Sequence, residues 1–246
     1  MFQVIAIANE KGGVAKTTTA ISLGGVLVEM GRKVLLIDMD PQASLTVYLG
    51  ITPHTENNTV ASVLMNGSTP FPRETPIQNL YLLPSHPELA EVERNLSTRE
   101  GYRLLLKHGL QQINAFDSII IDCPPSLGLL TQNALVAAEL MIMPVVPEYL
   151  AVYALRDTTQ LVKSIRETDN AYLSYRILFT IVDQRIKSQV TICNRFREKF
   201  GDAIYNTIIQ IDTRLRDASI AGLPITHFLP DTRSSHQYRD LAKEIF

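Results

Sequence analysis

Tryptophan is missing from this chain of 246 residues, and cysteine occurs only at Cys123 and Cys193. Two cysteines so far apart offer neither a disulfide framework nor a metal-ligand spacing, and they read as reduced structural thiols of a cytosolic protein. They are also too few to ligate an iron–sulfur cluster, which argues against a cluster-dependent reductase. Long hydrophobic runs are lacking as well. The longest apolar stretch, 134–147, is broken by Glu139 and Pro144 and falls short of the roughly 20 residues a membrane-spanning helix needs. The chain enters β-type sequence at once with no basic leader, so no signal peptide is expected. Neither sign of charge dominates: 23 basic against 25 acidic residues give a net charge of -2. That balance excludes a surface coated in base and leaves room for a local patch. There is no internal repeat and no low-complexity tract. With 46% hydrophobic residues the chain can bury one sizeable core, and a single domain over 1–246 is expected.

What is present is a series of apolar β-type runs with helical patterns between them. The runs are 2–8, 33–37, 80–83, 118–121, 140–146 and 176–182. They are continuous rather than alternating, as strands covered on both faces require. Helical patterns are expected over 60–65, 89–96, 99–113, 127–138 and 190–200, and a last helix carries Tyr238, Leu241, Ala242, Ile245 and Phe246 on one stripe. Residues 51–78 hold Pro53, Pro70, Pro72 and Pro76 and read as surface connection. The alternation predicts an α/β fold: a mostly parallel, twisted sheet with helices on both faces. In such sheets ligands bind beyond the carboxyl ends of the strands.

The first strand runs into Glu10-Lys11-Gly12-Gly13-Val14-Ala15-Lys16-Thr17-Thr18, and a helical pattern comes next through Leu23, Val26, Leu27 and Met30. Strand, glycine-rich turn and helix form the setting of a phosphate-binding loop. Gly12 and Gly13 let backbone N–H groups approach an anion, and the helix adds the positive end of its dipole. Lys16 can reach the β- and γ-phosphates of ATP, and the Thr17 hydroxyl can ligate Mg²⁺. The usual G-x-x-x-x-G-K-[ST] spacing is not kept: Ala15 precedes Lys16, and a second lysine, Lys11, opens the loop.

Two further acidic motifs end strands. Asp38-Met39-Asp40-Pro41-Gln42 closes the second run, and Asp122-Cys123-Pro124-Pro125 closes the run 118–121. Carboxylates at strand ends are poor core residues, because unpaired burial of charge is costly. Asp38 and Asp40 also fit a plainer reading as helix-capping acids. An acid after an apolar strand is the Walker B arrangement, and Asp122 would then hold a Mg²⁺-bound water.

The K-G-G-x-x-K-T-T-T loop, D-x-D-P-Q and D-x-P-P, in this order, resemble the deviant-Walker ATPases of the ParA/MinD family, and within it the ParA branch. The resemblance covers nearly the whole chain and implies a P-loop nucleoside triphosphatase fold. It implies that Lys11 reaches across a dimer interface to the partner's nucleotide, that Asp40 positions the attacking water, and that Asp38 supports the Mg²⁺ shell. Residues 208–225 are similar to the family segment that borders adenine, which makes Gln210, Ile211 and Asp212 base-contact candidates. The family's prolines are replaced there by Gln210 and Ser219. The resemblance further implies an ATP-dependent homodimer, sequence-independent binding to double-stranded DNA, and a cargo adaptor that stimulates hydrolysis. The chain looks like a short form without a helix-turn-helix domain. Its place would be the cytoplasm, on the nucleoid, moving plasmids, chromosomes or protein cargo such as carboxysomes. A MinD-like membrane regulator is the alternative; the basic amphipathic tail that attachment needs is not seen after the last helix.

One local charge excess stands out. Arg185, Lys187, Arg195, Arg197 and Lys199 face a single acid, Glu198. This is either a solvated helix face or, with Arg214, a patch for phosphate backbone. No aromatic residues interleave with it, so any DNA contact would be indifferent to sequence.

Overall fold

The computed structural model describes residues 3–53, 58–149 and 151–246; Phe2 and residues 54–57, part of the expected first strand and of the proline-rich connection, lie outside them. Eight strands form one sheet in the order β3-β4-β2-β5-β1-β6-β7-β8. They are β1 Gln3–Ile7, β2 Val34–Asp38, β3 Arg73–Glu74, β4 Leu80–Leu83, β5 Ser118–Asp122, β6 Leu140–Val145, β7 Ser174–Val182 and β8 Ile204–Gln210. All pairings are parallel except that of β3 with β4.

Alternation along the central strands divides the core in two. Ile5 and Ile7 of β1, with Val34 and Leu36 of β2, pack under α1 (Lys16–Glu29) and α11 (Arg233–Ile245). Val4 and Ala6, with Leu35 and Ile37, point the other way. There they meet α3 (Val60–Asn66), α4 (Leu89–Leu96), α5 (Leu105–Leu110), α6 (Leu129–Ala137), α7 (Ala151–Thr168) and α8 (Lys187–Phe200). A strand apolar on both sides is what a sheet between two helix layers requires. Within the first of these layers, neighbouring segments approach closely at Gly25 of α1. A Cβ there would come within 2.5 Å of Pro224, at the start of α10 (Ile225–Phe228).

Three expectations need correction. The helix expected over 99–113 is a 3-10 turn at Tyr102–Leu104 leading into α5 alone. Gly101 in a left-handed conformation (φ 65°) stops any helix from running through. Two strands lie beyond the six apolar runs: β3, an exposed two-residue edge, and β8, whose exposed Asn206 breaks the apolar run. The eighteen-residue α7 is not among the expected helices, although its buried Ala151, Leu155, Val162 and Ile165 recur at helical spacing.

Candidate functional site

The carboxyl ends of β1, β2 and β5 lie side by side, with Asp38 in register with Asp122 and Ile7 beside Asp122. Every acidic motif and the glycine loop therefore converge on one edge of the sheet. The loop after β1 reaches α1 through two left-handed residues, Gly13 (φ 72°) and Ala15 (φ 64°), the latter capping α1. A non-glycine residue in that conformation carries backbone strain of about 1–2 kcal/mol. Surrounding bonds hold it. The Asn9 amide donates to the Pro144 carbonyl (2.7 Å) and its oxygen accepts from the Lys11 N–H (3.0 Å). The Thr180 hydroxyl donates to the Val14 carbonyl (3.0 Å). A Cβ built on Gly12 or Gly13 meets no atom within 4 Å, so both face open space.

Lys16 is buried, and its ammonium donates to the Lys11 carbonyl (3.1 Å) across the loop. Burial lowers its pKa, and the charges of Asp122, Cys123 and Asp40 oppose the shift. Lys11 is half-exposed and pairs with Glu148, three residues beyond β6. Asp122 is 1% exposed, and neither carboxylate oxygen has a fully formed hydrogen bond among the described residues. Its pKa stands well above the ordinary carboxylate value. Burial is the main cause and the Asp38 charge the next, while the nearby Thr17 hydroxyl and Lys16 act the other way.

Asp38 is as buried as Asp122, at 0% exposure, yet fully engaged. One oxygen accepts from the Asp40 N–H (3.1 Å), the other from the Thr46 N–H (2.8 Å) and hydroxyl (2.7 Å). Burial pushes it up to about 6 despite these bonds. Thr46 lies in α2 (Ser44–Tyr48), so the capping reading describes what Asp38 does in this structure. Asp40 is half-buried and accepts from the Gln42 N–H (2.9 Å).

A cleft of about 280 Å³ opens beside the loop, between Ala15 and Thr18 on one side and Gln210, Ile211 and Asp212 on the other. The expected base-contact segment is thus brought against the loop. Asp212 is occupied internally, accepting from the Ser234 hydroxyl (2.8 Å) and the Arg214 N–H (3.1 Å). Ile181 also lines the cleft, at φ 54°, where a β-branched residue is strained.

The basic residues are not brought together on one face. Lys187, Thr191, Arg195 and Lys199 are all exposed and succeed one another at four-residue intervals, forming a ridge inclined to the axis of α8. Arg197 lies off that ridge, its guanidinium 5.7 Å from the Phe179 ring centre. Arg185 is bound to Asp183, whose carboxyl it pushes down to about 2 through hydrogen bonds. Arg214 opens α9 (Arg214–Ala221), next to Asp212. Asn9, Thr46, Glu148 and Thr180 carry no signal of a role in the sequence. Each acts through a bond to a segment that is not its neighbour in the chain, which no local pattern marks.

A glycine loop leading from a central strand of a mostly parallel sheet, with acids ending the neighbouring strands, defines a P-loop nucleotide-binding protein. Residues 2–175 match the AAA_31 family model, described as an AAA domain. The chain is 36% identical to the sporulation initiation inhibitor protein Soj of Bacillus subtilis, covering 100% of this chain and 98% of that protein. It is 34% identical to the chromosome partitioning protein ParA of Caulobacter vibrioides, over 99% and 93% of the two chains. Among solved structures, it resembles cobyrinic acid a,c-diamide synthase from Mycobacterium smegmatis with bound ATP analog and magnesium. The TM-score is 0.87 at 32% identity, covering 100% of this chain and 94% of that one. The chain belongs to the ParA/Soj family of ATPases.

Proposed function

We propose that this protein is a partitioning ATPase whose ATP-bound homodimer holds DNA and releases it after hydrolysis. The observation that carries the ATPase site is the Asp122 carboxylate, buried without a full hydrogen bond beside Thr17 and Lys16, at the mouth of an open glycine loop. A buried charge needs a partner, and this donor set fits the magnesium ion of a bound nucleotide. Asp122 and Thr17 would hold the ion, which when bound offsets phosphate charge. The N–H groups of residues 10–18 would cradle the phosphates, and Lys16 would lie against the terminal ones. Asp40 would orient the attacking water, since phosphoryl transfer needs a placed nucleophile more than a strong base. Asp38 would act from behind, holding the Asp40 loop. The cleft at 210–212 would take the base.

Lys11 would leave Glu148 and serve the partner subunit's nucleotide. The α8 ridge would contact phosphate backbone without reading sequence, and two ridges on one dimer would raise the effective concentration of the second. The name of the Caulobacter relative, chromosome partitioning protein ParA, supports a chromosome as cargo; an adaptor would stimulate hydrolysis. The test combines size exclusion with a DNA gel shift, each with ATP and Mg²⁺, ADP, or no nucleotide. The proposal expects a dimer and a shift only with ATP. A monomer under all three conditions overturns it. Sedimentation with anionic liposomes but no shift of DNA would favour the membrane-binding alternative.

A further inference from the structure

We propose that Ser85 and Thr46 are positioning residues for Asp40, an inference that rests on the reading of Asp40 as the water-orienting carboxylate. The Asp40 backbone is held on both sides. Its N–H donates to Asp38 Oδ1 (3.1 Å), and its carbonyl accepts from the Ala43 N–H (2.8 Å) and the Ser85 hydroxyl (2.6 Å). Ser85 lies 45 residues away, after β4, and is 0% exposed. Its own N–H donates to Thr46 Oγ1 (3.0 Å), and that hydroxyl donates in turn to Asp38 Oδ2 (2.7 Å). The circuit is closed: Asp40 to Asp38, to Thr46, to Ser85, and back to Asp40. Each hydroxyl has one proton, and each proton is used.

Three of these four groups are fully buried, so water cannot replace a missing bond. The fourth, Asp40, is the half-buried member and the only one with its side chain toward solvent-accessible space. A ring of buried and part-buried bonds behind one half-buried carboxylate fixes where that carboxylate stands, which is the condition for orienting a nucleophile. Ser85 ties the loop to a strand rather than to its own neighbours, so the loop cannot pivot on its local turn. Neither Ser85 nor Thr46 reaches the phosphate loop through any hydrogen bond among the described residues. Their removal should therefore change turnover and leave nucleotide affinity alone.

The experiment measures kcat, KM and ATP-analogue affinity for Ser85→Ala, Thr46→Ser, Asp40→Ala and the Ser85→Ala/Asp40→Ala double variant. Ser85→Ala is expected to lower kcat about tenfold with KM and analogue affinity within about twofold. Thr46→Ser keeps the hydroxyl and should hold near-native kcat. In the double variant, the loss of Ser85 should add nothing to that of Asp40. A native rate for Asp40→Ala overturns the underlying reading. A slow Asp40→Ala with a native Ser85→Ala overturns this inference alone. So does an equal fall on losing Ser85 in both backgrounds, because Ser85 would then act independently of Asp40.

Discussion

Asp38 and Asp122 are neighbours across two parallel strands, in register and equally buried, and they live in opposite conditions. Asp38 accepts three hydrogen bonds, two of them from backbone. Neither Asp122 oxygen has a full hydrogen bond among the described residues. Position in the fold is the same for both, so the difference lies in the segment next in the chain after each strand. After β2 the chain turns back at once into α2, delivering Thr46 to Asp38. After β5, Pro124 and Pro125 carry no N–H to donate, and the chain leaves. Asp38 is thus bound into the scaffold by its hydrogen bonds, while the Asp122 lone pairs carry no full hydrogen bond among the described residues.

The largest effect should come from Asp122. Asp122→Asn keeps the shape and removes the charge, and hydrolysis is expected to fall roughly 100-fold or more in a phosphate-release assay. The same variant should raise the melting temperature of the nucleotide-free protein, because it removes a buried carboxyl whose ionisation burial opposes. Lost activity with gained apo-stability is the signature that separates a ligand-directed carboxylate from a structural one. Lys16→Ala should likewise abolish turnover, and should weaken ATP-analogue binding measured by titration.

Asp38 should give the opposite pattern. Asp38→Ala leaves the Asp40 and Thr46 N–H groups and the Thr46 hydroxyl without their acceptor, a loss of about 3 kcal/mol by urea denaturation. A destabilisation of Asp122→Asn as large as that of Asp38→Ala would erase the distinction.

Titration sharpens the comparison further. Burial raises both carboxyls, Asp38 to about 6 and Asp122 well above the ordinary value. The folded state therefore holds these protons at a pH where the unfolded chain has released them. Stability of the nucleotide-free protein should fall as pH rises from about 4 through about 6, by on the order of 3 kcal/mol from Asp38 alone, and Asp122 should add to the fall. Asp122→Asn should make that profile less steep. Denaturation midpoints across pH 4–8 give the measurement.

The strand end at Asp122 and the phosphate loop were legible in the sequence because each is a contiguous pattern: apolar run then acid, or strand then glycines then lysine. Six of the strands announced themselves by the same continuity. The Asp38–Thr46–Ser85 circuit did not, since its members are 8 and 45 residues from their partners and each alone is an ordinary polar residue. The pairing of Lys11 with Glu148, 137 residues apart, was hidden for the same reason. The basic ridge was half legible. Counting charges found the cluster, but only helix geometry separates Arg195 and Lys199 from Arg197.

That ridge supplies the smallest expected effect on the fold and a control for the buried acids. Arg195 and Lys199 are exposed, four residues apart, and free of any ion pair among the described residues. Reversing both to Glu should change stability by about 0.5 kcal/mol or less, because solvent screens exposed charge. The folded protein and its basal hydrolysis should be unchanged. DNA affinity should drop, and the salt dependence of what remains should lose about 0.9 from its log–log slope for each phosphate contact removed. Arg197→Gln is the internal comparison. It gives up a contact with the Phe179 ring, so it should lower stability slightly while leaving the salt slope near native. Gel shifts at several salt concentrations decide the matter. If Arg197→Gln reduces the slope and the ridge variant does not, phosphate binding lies on the other flank of α8, and the exposed ridge is a solvated face.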